Sequence, residues 1–138
     1  MRAVLDVNVL VSGLLSRAGA PGRLIALWLA GAFELVASEA LLAELDRALA
    51  YPKLRAHISR DEAAAFVALV RSTASLFPDA QHPDRVSRDP GDDYVVALAT
   101  ASASIVVSGD QDLLILAPDL PIQSPAAFLA LVERRPER

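Results

Sequence analysis

Two short apolar runs, one at the start of the chain and one in its last third, are each followed by acidic residues. The first run covers 3–5 and precedes Asp6, and the second covers 105–107 and precedes Asp110. Continuous runs of Ala, Val, Leu and Ile predict strands that are buried on both faces of a parallel sheet. Because ligands of such sheets bind beyond the carboxyl ends of the strands, both acidic groups are expected at one edge.

Further strands and helices alternate along the chain. Strands are predicted at 3–5, 33–37, 76–77, 105–107 and 122–123, and helices at 21–29, 38–49, 61–75, 89–102 and from 124 onward. Capping signals mark two helix starts, with Ser38 before a Leu-rich pattern and the S-x-x-E spacing of Ser59 and Glu62. This alternation predicts an α/β fold, a three-layer sandwich around a central, mainly parallel sheet.

Length and composition fit one domain with a sizeable core. The chain has 138 residues, of which 54% are hydrophobic and 22% are charged, so 1–138 is predicted as a single ordered domain. No apolar run reaches the ~20 residues that a membrane-spanning helix needs. The N-terminus reaches Asp6 without the apolar stretch of a secretory signal, so a cytoplasmic protein without membrane contact is expected.

Charge and residue usage limit the chemistry. The net charge is −4 and there is no Cys. A chain without Cys has no thiolate metal site and no thiol nucleophile, so any metal must be held by oxygen or His. A net negative chain also lacks the basic excess by which many proteins hold nucleic acid. Contact with nucleic acid would therefore need local Arg residues or a bridging cation.

Acidic residues from four separate segments are expected at the carboxyl edge of the sheet. Asp6 and Asp110 follow strands, and Glu44 and Asp93 lie early on two predicted helices. Each also has a plain structural interpretation, such as a turn residue after a strand for Asp6 and a solvated helix face for Glu44. Their expected convergence is a stronger signal than any one of them.

Neighbouring acidic residues are candidates for helix capping. Asp89 and Asp92 are spaced as a capping pair at a helix start, which leaves Asp93 free to act as a ligand. In the same way, one of Asp110 and Asp112 would cap the turn that follows, and the other would remain free.

Carboxylates that are brought together need a cation. Groups within ~4–6 Å repel one another and raise each other's pKa, which destabilises the fold unless the charge is offset. A site made of oxygen ligands suits Mg²⁺ or Mn²⁺. Such ions lower the pKa of a bound water and hold a phosphodiester, so the pattern indicates phosphoryl chemistry on a polyanion.

Four segments, taken in order, resemble the motifs of the PIN-domain family. They are 4–12 around Asp6, 38–49 around Glu44, 89–99 around Asp93, and 106–114 around Asp110. The resemblance covers essentially the whole chain and is strongest to the short bacterial PIN proteins of the VapC type, the toxin components of toxin–antitoxin pairs. One departure is Ser108, where the family usually has Thr, and this change keeps the hydroxyl.

The resemblance implies a Mg²⁺- or Mn²⁺-dependent endoribonuclease that is silenced by a cognate antitoxin protein. In-line attack of an activated water on an RNA phosphodiester would leave a 5′-phosphate and a 3′-hydroxyl. The residues that match the family's catalytic and metal-binding acids are Asp6, Glu44, Asp93 and Asp110. Asp6 and Asp93 would share the principal metal.

Neighbours of these four acids complete the predicted site. Asp112 could supplement or replace the acid two residues before it, and Asp92 could stand in for the acid that follows it. Asn8 and Ser108 match polar positions beside the site, where they would orient a carboxylate or a water.

Partner contacts are also predicted. Arg17 and Arg23, in the first connection, would lie at the mouth of the site and bind RNA backbone phosphates, with ordinary surface positions as the alternative. The apolar residues of 24–29 and 41–49 are numerous enough to leave a surplus hydrophobic face. A homodimer is therefore expected.

Three alternatives fit the sequence less well. A phosphatase of the haloacid dehalogenase class needs Asp-x-Asp after the first strand, but Asn8 takes the second position. A receiver domain needs a Lys at a later strand end, but Lys53, the only Lys, follows a helix. A catalytically silent PIN-like interaction module would be indicated by the loss of one of the four acids, and all four are present.

Overall fold

The computed structural model describes residues 1–134. Its sheet has the strand order β3-β2-β1-β4-β5, and every neighbouring pair is parallel. The strands are β1 (Arg2–Leu5), β2 (Glu34–Ala37), β3 (Ser75–Leu76), β4 (Ile105–Val107) and β5 (Ile122–Gln123). The α/β class and the parallel sheet predicted from the sequence are confirmed.

Helices cover both faces of this sheet. They are α1 (Val7–Leu15), α2 (Ala20–Leu29), α3 (Glu39–Leu49), α4 (Pro52–Arg55), α5 (Arg60–Thr73), α6 (Asp93–Ser102), α7 (Gln111–Leu114) and α8 (Pro125–Arg134). A 3₁₀ turn, Pro90–Asp92, leads into α6. Within residues 1–134, none of the helices combines the length and the hydrophobicity that crossing a membrane requires.

The strand order reverses between β1 and β4. The chain moves from β1 to β2 and β3 in one direction, and then crosses back to β4 and β5 on the other side of β1. Right-handed crossovers in opposite directions place their helices on opposite faces of the sheet, which produces the three-layer sandwich. The carboxyl ends of β1 and β4 therefore flank the position where open parallel sheets bind ligands.

The helix α1 begins directly after β1, and the sequence pattern does not predict it. The Asp6 carboxylate caps it by accepting a hydrogen bond from the Val7 N–H at 2.8 Å. Its β-branched residues and Gly13 lower the helix propensity, so the segment resembles a strand and loop in sequence. A Cβ atom at Gly13 would lie 2.9 Å from the Pro21 carbonyl oxygen. Close packing against α2, rather than propensity, stabilises this helix.

The apolar helix faces that suggest a homodimer are used inside the chain. Leu24 and Trp28 of α2 are buried, as are Leu41 and Leu45 of α3. Burial of one such side chain contributes roughly 1.5–3 kcal/mol, so these faces stabilise the chain's own core. Leu29, at the end of α2, stays exposed. Most of the apolar surface that composition suggests for a dimer is therefore buried inside the chain.

Gly22→Ala tests the close approach between α2 and the connection that precedes it. At Gly22 a Cβ atom would stand 2.3 Å from the Ser16 carbonyl oxygen and 2.6 Å from the Arg17 Cα. Because these are backbone atoms that cannot rotate aside, the variant should lose about 1–3 kcal/mol of stability in urea unfolding.

Gly19→Ser is the matched control in the same connection. A Cβ atom there would meet the Pro21 Cδ at 3.7 Å, an ordinary contact, and Ser is a good N-cap residue for α2. Its unfolding free energy should stay within about 0.5 kcal/mol of that of the wild type. Equal losses in the two variants would contradict the steric explanation.

Candidate active site

Three carboxylates stand at the starts of three helices on the carboxyl edge of the sheet. Asp6 follows β1 and caps α1, Asp92 precedes α6, and Asp110 follows β4 and caps α7. A helix N-terminus carries partial positive charge, so each of these positions favours a carboxylate. The sequence predicts Asp6 and Asp110 at this edge, and the structure brings both of them to the switch point between β1 and β4.

Ser108 links the two acids that follow the strands. Its hydroxyl donates a hydrogen bond to Asp6 Oδ2 at 2.8 Å and accepts one from the Asp110 N–H at 3.0 Å. Ser108 is fully buried, and Asp6 is only 5% exposed. Since the Val7 N–H binds Oδ1, both carboxylate oxygens of Asp6 are held in place.

The electrostatics at Asp6 reflect burial and nearby charge. Burial raises the pKa of Asp6 above its ordinary value, and the hydrogen bonds from Ser108 and Val7 lower it in part. The negative charges of Glu44 and Asp110 add to the increase. Glu44 and Asp110 are therefore close enough to Asp6 for their charges to interact with it.

Asp92 faces the acids that follow the strands. Burial first, and then the charges of Asp6, Asp110 and Asp89, raise the pKa of Asp92 to about 7. Among residues 1–134, its buried Oδ2 atom has no hydrogen-bond partner. The expectation that Asp92 forms half of a capping pair is wrong, because its side chain makes no capping hydrogen bond, whereas Asp89 does.

Asp93 is directed away from this group. Its Oδ1 accepts hydrogen bonds from the N–H groups of Val86 and Ser87 at 3.2 and 2.9 Å, and its Oδ2 lies 3.2 Å from Arg85 Nε. Although burial acts in the opposite direction, these contacts lower the pKa of Asp93 below its ordinary value. The geometry therefore differs from the expectation that Asp93 shares a metal with Asp6, because Oδ1 is bound by the preceding loop. Oδ2 faces Arg85, although it has no hydrogen-bond partner within residues 1–134.

Glu44 approaches the site from α3. The Tyr94 hydroxyl donates a hydrogen bond to Glu44 Oε2. Burial and then this carboxylate raise the pKa of Tyr94 above its ordinary value. The two residues line a cleft of about 700 Å³, together with Asn8 from the first turn of α1. Tyr94 is not among the residues predicted from the sequence, and the available signal was its position directly after the acidic doublet.

The loop 77–89 leads from β3 to the turn before α6, and it contacts both α3 and α6. Near its start, Asp79 Oδ2 accepts a hydrogen bond from the Ala40 N–H in the first turn of α3 at 2.9 Å. Near its end, the loop is bound by Asp93 at the first turn of α6. It is therefore bound to α3 near its start and to α6 near its end.

Asp112 lies beside the site without facing it. Its carboxylate is 3.9 Å from Arg88 Nε, and its N–H donates to Asp110 Oδ1 at 2.9 Å. Asp110 is thus the N-cap of α7, whereas the sequence pattern fits either of these two acids in that role.

Arg17 and Arg23 are not among the residues that line the cleft, and their contact with RNA phosphates at the mouth of the site stays a prediction. Arg23 forms an ion pair with Glu133 of α8. Arg17 lies in the exposed connection after α1, a helix of nine residues and so about 13 Å long. The segment expected to be a loop is this helix, and it carries the chain away from Asp6.

The acids suit a divalent cation chemically, although they do not surround one point. Among residues 1–134, no three His, Cys, Asp or Glu side chains are close enough to hold a metal ion together. Yet Asp92 has an unpartnered buried oxygen, and mutual repulsion contributes to the raised pKa values of Asp6 and Asp92. A hard cation offsets such charge. The residues that could hold it after side-chain movement are Asp6, Asp92, Asp110 and Glu44.

The position of Asp92 predicts a dependence of stability on pH. An acid whose pKa is raised by folding destabilises the folded state once it ionises, so stability is lost between pH 3.8 and about 7 as Asp92 ionises. In EDTA, the wild type should lose about 1–2 kcal/mol relative to Asp92→Asn over this range, after allowance for solvent screening. Urea unfolding at matched pH values measures the difference.

Asp112→Asn is the control for this measurement. The Asp112 carboxyl is 41% exposed and paired with Arg88, so its pH profile should follow that of the wild type. Parallel profiles for the wild type and Asp92→Asn would contradict the repulsion inferred at the site.

Comparisons with known proteins agree with this architecture. A family model described as PIN domain matches residues 2–112. The uncharacterized protein MJ1680 of Methanocaldococcus jannaschii is 27% identical over 116 residues, which are 84% of this chain and 75% of that protein.

Solved structures are similar in fold. PAE2754 from Pyrobaculum aerophilum has a TM-score of 0.68 at 15% identity, and the match covers 98% of this chain and 91% of that one. VapBC2 from Rickettsia felis, bound to a DNA fragment from their promoter, has a TM-score of 0.63 at 13% identity, covering 90% of this chain and 98% of that one. Because the family model spans most of the sequence and all the acids at the carboxyl edge, the chain belongs to the PIN domain family.

Proposed function

We propose that this chain is a Mg²⁺- or Mn²⁺-dependent endoribonuclease that hydrolyses RNA phosphodiester bonds. The observation that supports it most directly is the arrangement of Asp6, Asp92 and Asp110 at three helix starts, where the buried Oδ2 of Asp92 has no hydrogen-bond partner within residues 1–134. Membership of the PIN domain family supports nuclease chemistry at this edge. RNA as the substrate is supported by the resemblance to VapC-type proteins.

Each residue of the proposed site has its own role. Asp6, Asp92 and Asp110 would hold the cation, which supplies an activated water and offsets charge on the phosphate. Ser108 orients Asp6 through its hydroxyl. The Tyr94 hydroxyl donates its hydrogen bond to Glu44 Oε2. Oε1 of Glu44 would therefore accept a hydrogen bond from water or from the substrate.

Cleavage of an end-labelled structured RNA tests the proposal. The wild type should cut in Mg²⁺ or Mn²⁺ and not in EDTA. Asp6→Asn, Asp92→Asn and Asp110→Asn should each lower the cleavage rate by at least about 100-fold, because each removes a charge that the cation needs. Product ends would carry a 5′-phosphate and a 3′-hydroxyl.

Asp112→Asn is the matched control for Asp110→Asn. Its carboxylate faces Arg88 rather than the other acids, so its rate should stay within about threefold of the wild type. If Asp93→Asn abolished cleavage while Asp92→Asn left it intact, the assignment of Asp92 would be overturned. A wild type that neither cuts nor gains thermal stability from Mn²⁺ would favour the alternative, a catalytically silent PIN-like interaction module.

We further propose that the chain is the toxin of a toxin–antitoxin pair, with a cognate antitoxin protein as its partner. The fold likeness to the VapBC2 structure supports this. Expression of the wild type in a bacterial host should arrest growth, because RNA would be cut. Asp92→Asn at equal protein level should not. Equal arrest by both forms would contradict a toxicity that depends on catalysis.

A further inference from the structure

The Tyr94 hydroxyl lies near acids that belong to three parts of the fold. It donates a hydrogen bond to Glu44 Oε2 on α3. The negative charges of Asp6, which follows β1, and of Asp79, in the loop 77–89, also act on this hydroxyl. Tyr94 therefore brings a neutral hydrogen-bond donor into a group of carboxylates.

The hydroxyl remains a donor at neutral pH. Burial first, and then the carboxylates around it, raise the pKa of Tyr94 above its ordinary value. A phenol in this state keeps its proton, and it can donate that proton to one hydrogen bond. A hydrogen bond to a charged oxygen is among the stronger ones in proteins. Tyr94 thus offsets part of the charge of Glu44 without adding a charge of its own.

Tyr94 also determines where the Glu44 carboxylate lies. A Glu side chain is long and flexible, whereas the ring of a Tyr is rigid and has few rotatable bonds. The ring of Tyr94 starts from the first turn of α6, and Glu44 starts from the middle of α3. Both side chains line the same cleft. The hydrogen bond between them therefore holds the flexible side chain in one position through the rigid one.

Release of Glu44 would change the charge near the other acids. Glu44 is close enough to Asp6 for its charge to raise the pKa of Asp6. Without the Tyr94 hydroxyl, Oε2 of Glu44 would lose its donor, and repulsion between the carboxylates would increase. A divalent cation offsets such repulsion, so it would bind more tightly to a protein without this hydroxyl. The hydroxyl therefore competes with a cation for the charge of Glu44.

We infer that Tyr94 is a positioning residue that limits the affinity of the acidic site for divalent cations, because its hydroxyl holds Glu44 away from the cation. The inference rests on the proposed function, and it assigns a regulation of cation uptake to a residue outside the reaction itself. The same bond favours cleavage, since it keeps Glu44 where Oε1 would accept a hydrogen bond from water or from the substrate. Loss of the hydroxyl should therefore give tighter cation binding and slower cleavage together.

Calorimetric titration of the protein with Mn²⁺, in the absence of RNA, tests the inference. Tyr94→Phe keeps the ring and removes the hydroxyl, and its Kd for Mn²⁺ should fall about fivefold because the competing hydrogen bond is lost. In a Glu44→Gln background the same change should leave the Kd within about twofold, because no carboxylate is released. Tyr51→Phe removes the hydroxyl of an exposed tyrosine on the wall of the same cleft and should not change the Kd.

Cleavage of RNA over a range of Mn²⁺ concentrations is the second measurement. At saturating Mn²⁺, Tyr94→Phe should cut about tenfold more slowly than the wild type, as expected when a partner that orients a site residue is lost. It should reach half of its own maximal rate at a lower Mn²⁺ concentration. If Tyr94 served only to pack its ring, Phe would restore the wild-type values of both quantities.

The outcomes separate this role from the chemistry. If Tyr94→Phe binds Mn²⁺ no more tightly than the wild type, the inference is overturned, while cleavage by the wild type would still support the nuclease. If the wild type binds Mn²⁺ but never cuts RNA, and Tyr94→Phe binds Mn²⁺ more tightly, the inference is supported and the proposed function fails. Equal tightening in the Glu44→Gln background would overturn a role that acts through Glu44. A wild type that binds no Mn²⁺ would overturn both.

Discussion

Negative charge at the switch point of the sheet has to be tolerated by the fold, and helix N-termini make this possible. The carboxylates of Asp6 and Asp110 each accept a peptide N–H at the start of a helix, and Asp92 occupies the equivalent position of α6. Helix dipoles favour charge at these places, but they do not remove the repulsion between the acids. Burial first, and then this repulsion, raises the pKa values of Asp6 and Asp92. The strand order, the helix starts and the proposed chemistry all meet at this one edge.

The acidic doublet shows how neighbouring identical residues take different roles. Successive residues on a helix point about 100° apart, so Asp92 and Asp93 cannot face the same way. One carboxylate meets the other acids, and the other binds the loop at Val86, Ser87 and Arg85. The structural role of Asp93 supports the position of Asp92, since it orders the loop that leads into the same helix.

The sequence predicted the strands and the edge of the sheet because these depend on local patterns. The apolar runs that end at Asp6 and Asp110 are readable without any knowledge of packing. The choice between the acids of the doublet depends instead on the direction of one helix start and on the loop before it, which no local pattern records. The positions of Arg17 and Arg23 are not readable from local patterns for a related reason, since α1 is stabilised by contact with α2 rather than by helix propensity.

The loop 77–89 has a consequence for how this fold can change over time. Surface loops ordinarily accept insertions and deletions with little effect. This one is bound to α3 through Asp79 and to α6 through Asp93. A residue gained or lost within it would put these two contacts out of register with each other, while every acidic residue of the site stayed unchanged. The length of this loop is thus a heritable property that acts on the surroundings of the site without a substitution in the site itself.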